Sequence, residues 1–431
     1  MSEIAVSVIM PSLNVADYIE ECIASAVNQT LKEIEIICID AGSEDGTVEI
    51  IEKYAGQDSR IRLVKTDYKS YGAQVNLGIS LSRGRYIAIL ETDDYISHDM
   101  YEKLYRPAAE NDCDYVKCNY YTYWTQKDGS KYKQLRRNFY DDSYYFRVID
   151  QPVPKDICIR DLYLWDGIYK KSFLINNGIE FSETRGAAFQ DVSFLFQTSI
   201  LCRRVMYLDQ AYYFYCVDRE GSSSNSDKGF LYSFNEYNFV YSKYKDLIRR
   251  DREIAKAFYC RIALAFYNSV NDSHQIFGRE YKPYYEWFRR EISWALDNQI
   301  ILDSDMNIDV PLRSVLKPYE DYVKERERRK DFILSTLGKP SEYSIVIFGC
   351  GNFGIHAYRW LKQMEYSIEA FIDNAANKWN QTLDGIEILN PEEVRNRDRE
   401  TRYIVANNLY SHDMKVQLMQ YGVPREHICI F

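Results

Sequence analysis

Hydrophobic and polar positions along the first hundred residues fall into two alternating patterns. Apolar-rich runs with many β-branched residues, "AVSVIM", "IEIICI", "IRLV" and "YIAIL", predict strands, and Tyr86 to Leu90 reads as a buried one. Between them, apolar residues recur at helical spacing, as Ile19, Ile23 and Val27 do in "DYIEECIASAVNQ", where Asp17 is the expected N-cap. Further helices are expected over 47–57, over 72–84 with a stop at Gly84, and over 99–111; the fourth strand is expected over 85–94. Strands separated by helices of this length predict a parallel sheet of βαβ units. Ligands bind such sheets beyond the carboxyl ends of the strands. Asn14, Asp40, Asp67 and Asp93 fall at those ends.

The pattern then changes twice. Residues 114–225 are mixed and tyrosine-rich, with strands expected in "DYVKCNYYTYW" and "RVMYLDQAYYFYCV" and a polar loop in "REGSSSNSDKG". Residues 228–335 read as helices, and the charge run "KERERRK" as a solvated helix face. After Pro340, a strand, a glycine turn and a helix ("YSIVIFGCGNFGIHAYRWLKQM") are followed by strands in "IEAFIDNAANK", "TRYIVANNL" and "HICIF". That alternation predicts a small separate α/β domain.

Composition narrows the partners. The chain has 431 residues and a net charge of -10, which argues against general attraction to nucleic acid. Its ten cysteines are scattered and form no C-x-x-C pair, as expected of reduced thiols in a cytoplasmic protein. The five isolated histidines offer no zinc spacing. No signal peptide is read at the N-terminus, and no apolar run approaches the ~20 residues of a membrane-spanning helix.

The fourth strand ends in "ETDD": Glu91, Asp93 and Asp94 lie within four positions. Like charges at one strand end cost free energy unless a cation or hydrogen-bond donors neutralise them. One acid could cap the helix starting near His98, but three exceed that need. A divalent metal that also grips phosphates, Mg²⁺ or Mn²⁺, is the better expectation.

Together, "VSVIMPSLN", "IICIDAGSEDGT" and "NLGISLSRGRYIAILETDDYI" resemble the donor half of the inverting family 2 glycosyltransferases. "LWDGIYKKSFLINNGIEFSE" and "FQDVSFLF" resemble the acceptor half. The resemblance implies a GT-A fold. It implies a nucleotide-sugar pocket involving Pro11, Leu13, Asp40, Gln74 and Asp93, and metal ligation by Asp93 and Asp94. It implies Asp191 as general base and an acceptor contact at Trp165. The alternatives are a turn-former at Asp40, a helix cap at Asp191 and a core tryptophan at Trp165. The chain departs from the family pattern at Leu13, where a tyrosine is frequent, and at Ala41, Val75, Glu91 and Gln190.

In "GCGNFG", Gly349, Gly351 and Gly354 precede Asp373, which lies 19 residues beyond Gly354. That spacing fits a dinucleotide fingerprint, although a tight turn alone could require the same glycines.

The expectation is therefore a mixed α/β protein. Residues 1–226 would form a GT-A domain, 227–338 a helical segment and 339–431 a small Rossmann-like nucleotide-binding-type domain. The expected activity is metal-dependent transfer of a sugar, from a UDP-sugar in first place, to a glycan or lipid-linked saccharide in bacterial surface polysaccharide synthesis. It would act in the cytoplasm or at the inner membrane face, with peripheral membrane association and homo-oligomer formation left open. Two rivals stand beside it: a nucleotide-sugar oxidoreductase or epimerase acting through the C-terminal domain, and a non-catalytic nucleotide-sugar-binding protein.

Overall fold

A computed structural model describes residues 3–125, 130–151, 155–160, 162–217, 228–272, 278–306, 308, 310–398, 400–407 and 410–431. The polar loop expected at 219–229 falls almost wholly outside the described residues, as does the end of the strand expected over 401–409. By contact the chain forms two compact units, Met1–Ile262 and Ala263–Phe431.

The first unit opens with β1 (Val6–Ser12), α1 (Ala16–Val27), β2 (Ile34–Asp40), α2 (Thr47–Ala55), β3 (Ile61–Lys65), α3 (Tyr71–Leu81) and β4 (Tyr86–Ile89). It continues with β5 (Tyr95–Ile96), α4 (Met100–Glu110), β6 (Tyr115–Thr125), β7 (Lys131–Arg136), β8 (Val148–Asp150) and α5 (Lys155–Arg160). Then come β9 (Gly167–Lys170), α6 (Lys171–Asn176), α7 (Gln190–Leu201), β10 (Arg204–Cys216) and α8 (Gly229–Arg250). The division between units falls within α9 (Arg252–Asp272).

The sheet runs β3-β2-β1-β4-β9-β6-β10-β5, with β7 on β6 and β8 on β10. The first four strands are parallel. β1, β2 and β4 are buried along their whole length, as expected of β4, whereas β3 is partly exposed. β9 is antiparallel to both β4 and β6, and so joins the two halves of the sheet.

Four local expectations are corrected. Helix α1 starts at Ala16, so Asp17 is not its cap. The leading amides are satisfied across the chain instead: Val15 N–H donates to Thr47 Oγ1 and Ala16 N–H to Asp45 Oδ2. Helix α3 ends before Gly84, at Leu81, and is capped at its start by Ser70, whose hydroxyl accepts from Ala73 N–H. The fourth strand ends at Ile89, so "ETDD" forms a turn before β5. Neither Asp93 nor Asp94 caps α4; that position is held by Asp99.

The second unit comprises α10 (Lys282–Asp297), α11 (Leu312–Val315), α12 (Tyr319–Leu337), β11 (Ile345–Phe348), α13 (Asn352–Gln363), β12 (Ile368–Ile372), β13 (Thr382–Leu383), β14 (Ile386–Leu389), β15 (Arg402–Val405), α14 (Ser411–Gln420) and β16 (Ile428–Ile430). Its sheet, β13-β14-β12-β11-β15-β16, is parallel apart from the β13–β14 pair.

The glycine turn after β11 has a structural cause. Gly349 adopts φ +103°, and a Cβ on Gly354 would lie 1.9 Å from the Gly349 carbonyl oxygen. Asp373 staples this turn to the end of β12. Its carboxylate accepts from Cys350 N–H, Ala375 N–H and Lys378 Nζ. A Cβ on Gly351 would meet nothing within 4 Å, so only that glycine is spared by the turn.

All ten cysteines are free thiols, and all but Cys350 are buried. Among the described residues, no helix is long and apolar enough to cross a membrane.

Candidate active site

The carboxyl ends of β1 and β2 and the turn after β4 converge. Pro11 is buried, and its carbonyl accepts from Thr92 Oγ1 at 3.0 Å. Leu13 is half-buried beside it. Asp40 is buried, and its two oxygens accept four hydrogen bonds, from Ser12 Oγ, Ser43 Oγ, Gly42 N–H and Ser43 N–H. A carboxylate has about four acceptor positions, so a nucleotide base would have to displace one of the serine hydroxyls. Gln74 is similarly committed. Its amide donates to the carbonyls of Ser12 and Ile39, tying the ends of β1 and β2 together.

The acids of "ETDD" separate by environment. Asp94 is 2% exposed, and accepts from Tyr213 Oη and Cys216 N–H, both at 2.7 Å. Burial, with the adjacent charge of Asp93, pushes its carboxyl well above the usual range. The sequence expectation pairs Asp94 with Asp93 as metal ligands. In the fold both Asp94 oxygens are held by β10, which makes it a strut between the turn and that strand. Asp93 and Glu91 stay half-buried, and Glu91 accepts from Tyr71 Oη at 2.5 Å. No group of three or more His, Cys, Asp or Glu side chains is placed to hold a metal among the described residues.

Tyr71 begins α3, and the segment leading to Asp191 is clamped to that helix. Tyr71 N–H donates to the Gly186 carbonyl, and Gly186 N–H to that of Lys69. Asn76 exchanges hydrogen bonds with the backbone of Phe181 and also donates to Glu183 Oε1. Gln190 donates to the carbonyls of Thr184 and Gly186. Asp191 follows, in the first turn of α7. Burial raises its carboxyl to about 6, while the Val192 N–H that donates to it, and then the charges of Arg261 and Lys117, draw it the other way. Tyr71 feels the charges of both Glu91 and Asp191, so it stands between the strand-end acids and α7.

The clamp depends on Gly72. A Cβ there would lie 2.0 Å from the Ser182 carbonyl oxygen. Gly72→Ala is expected to cost about 1–3 kcal/mol of stability, the usual effect of overpacking. It should also lower transfer more than donor binding, because it displaces the Asp191 segment. Urea denaturation and a donor titration on the same variant check both expectations.

Trp165 is 6% exposed. Its ring stacks on Tyr213 and Tyr215, with Tyr120 edge-on at 4.9 Å. The core alternative describes this setting. Tyr163, which also packs on Trp165, and Tyr215 are partly exposed, and Tyr215 feels the charges of Asp94, Asp93 and Glu91. Sequence reasoning missed Tyr71, Tyr213 and Tyr215, because nothing marks them out among 39 tyrosines.

Comparison with known proteins agrees with this geometry. Residues 7–163 match the family model described as glycosyl transferase family 2. The glycosyltransferase GlyG of Streptococcus pneumoniae serotype 4 is 31% identical over 235 residues, half of this chain and 71% of that protein. The chain belongs to glycosyl transferase family 2.

Other relatives include a Bacillus subtilis protein described as an uncharacterized glycosyltransferase, EpsJ, 31% identical over 54% of this chain and 66% of its own length. The cholesterol galactosyltransferase of Borreliella burgdorferi is 30% identical over 51% of this chain and 62% of its own length. Among solved structures, S. aureus TarS 1–349 in complex with UDP-GlcNAc covers 79% of this chain and 94% of that one. Its TM-score is 0.55 at 18% identity, a likeness of fold. The protein is thus a glycosyltransferase built on a GT-A core. Residues 341–429 match a separate model, described as C2185-like, N-terminal.

Proposed function

We propose that this family 2 enzyme transfers a sugar, with inversion, from a nucleoside-diphosphate sugar to a hydroxyl of a glycan or lipid-linked saccharide, assisted by Mg²⁺ or Mn²⁺. The observation that carries the reading is the pairing, through α3, of half-buried acids at the β4 end with a carboxyl on α7 raised to about 6. A base poised near neutral pH can both stay ionised and take a proton.

In this reading, the ends of β1 and β2 seat the nucleotide, around Pro11, Leu13, Asp40 and Gln74. Asp93, with Glu91 beside it, would hold the metal. Mg²⁺ commonly binds through one or two carboxylates plus substrate phosphates, so two protein acids fit. The metal would offset the charge left on the departing diphosphate. Asp191 removes the proton from the attacking hydroxyl, and in-line attack then inverts the anomeric centre without a covalent intermediate.

A uridine donor is supported by likeness of fold to the TarS structures, which hold UDP and UDP-GlcNAc. We take the acceptor to lie on the Trp165–Tyr215 side, the enzyme to work in the cytoplasm or at the inner membrane face, and bacterial polysaccharide synthesis to be its setting. We keep 1–226 as the catalytic domain, 227–338 as a helical segment and 339–431 as a Rossmann-like accessory domain. Within the accessory domain, Gly351 is the glycine left for ligand approach.

A thermal-shift panel of UDP- and GDP-sugars, with and without Mn²⁺, tests this. Ligand at 100 times its Kd adds about 2.7 kcal/mol of apparent stability. Asp93→Asn is expected to remove the Mn²⁺-dependent part of the shift and leave the apo melting temperature in place. An unchanged Mn²⁺ response would take Asp93 out of the metal site.

A further inference from the structure

Glu236, on α8, is 1% exposed, and its Oε2 has no hydrogen-bond partner among the described residues. Its neighbours are the buried hydroxyls of Ser193, on α7, and Ser182, and it lies within the field of Asp191. Ser193 is two residues beyond Asp191, on the same helix. A bare carboxylate oxygen in a dry site without a donor is strongly disfavoured, whereas a neutral carboxyl tolerates it far better. The basic groups near Asp191 are Arg261 on α9 and Lys117 on β6, and Tyr71 on α3 and Tyr237 on α8 also face it. Cations thus draw Asp191 towards ionisation, while among the described residues Glu236 is balanced by serine hydroxyls.

We propose that Glu236 is a positioning residue for Asp191: a buried carboxylic acid that stays neutral while Asp191 ionises, so that the pair presents one negative charge, on the base. The proposal rests on the reading of Asp191 as the base. Burial raises Glu236 to about 7, with the charge of Asp191 adding to the rise, and raises Asp191 itself to about 6. With Arg261 and Lys117 near Asp191 and an unpartnered buried oxygen on Glu236, Asp191 ionises first. Two coupled carboxyls lose their protons in two steps that belong to the pair.

Infrared difference spectra of the full chain, taken across a pH titration, report protonated carboxyl groups without needing a substrate. Two such signals are expected to titrate near neutrality in the native protein. Glu236→Gln should delete the upper one and leave the lower nearly in place. Asp191→Asn should delete the lower one and move the upper midpoint to lower pH, because the negative charge that raised it is gone. The carboxyl of Asp94 is common to all spectra and cancels.

If Glu236→Gln deletes no signal, Glu236 is ionised throughout and the proposal is overturned. If Glu236→Gln does not fold, Asp191→Asn alone still decides, because an unmoved upper midpoint rules out the coupling. Should the coupling be present while Asp191→Asn transfers sugar normally, the base assignment fails and the paired carboxyls stand.

Discussion

Asp191→Asn is expected to lower sugar transfer by about 10²–10⁴, the usual contribution of a general base. Donor affinity should hold within a few-fold, because nothing in the geometry puts Asp191 on the nucleotide side. The native enzyme should lose activity as pH falls through about 6, where Asp191 takes up a proton before the acceptor can supply one. The variant should show no such limb. Its stability provides a control of known sign. A carboxyl raised on folding binds more protons in the native state than in the unfolded chain, so its contribution is present at low pH. That contribution is lost as pH rises from the unfolded carboxylate range towards about 6. At neutral pH the charged form is the one that burial penalises. Asp191→Asn should therefore melt no lower than the native protein, and a large drop would mean the substitution damaged the fold. Initial rates across a pH series, with a donor titration at neutral pH, check the prediction. Transfer at near the native rate would return Asp191 to a helix-end role.

The largest stability effect is expected at Lys117. Its ammonium lies 3.2 Å from Asp166 Oδ1, and both side chains are fully buried. It also donates to the Tyr163 carbonyl, while Asp166 Oδ2 accepts from Asn138 Nδ2 at 2.9 Å. Lys117→Met leaves the Asp166 carboxylate buried without its cation. Removing one partner of a buried pair costs about 3–5 kcal/mol. The double variant Lys117→Met with Asp166→Leu should recover much of that loss, because an apolar replacement of the whole pair is often neutral. Urea midpoints of the two variants, compared with the native protein, give the result. Equal midpoints for the single and double variants would show that the stranded Asp166 charge is not what destabilises Lys117→Met. The pair also reaches the site: Lys117 is one of two cations that hold down the proton affinity of Asp191. Its loss should therefore shift the acid limb of activity upward.

Much of this architecture is determined by the sequence itself. Runs such as "YIAIL" are too uniformly apolar to face water on either side, so they require a parallel sheet with covered faces, and β4 is buried throughout. The strand ends then follow from chain direction, which is why Asp40 and "ETDD" are legible as candidate site residues and the motifs point to the family.

What each of those acids does was decided only by the tertiary structure, because the state of a carboxyl depends on neighbours distant in sequence. Asp94 is held by Tyr213 and Cys216, more than a hundred residues away, and Asp40 by Ser12 from another strand. Asp191 is placed by a clamp on α3, and its proton affinity comes from burial set against Arg261 and Lys117. Glu236 and Lys117 carry no local signal: a glutamate inside a helical pattern and a lysine inside a strand pattern read as solvated positions. Only packing showed that both are buried, and a charge out of water must be paired or neutralised.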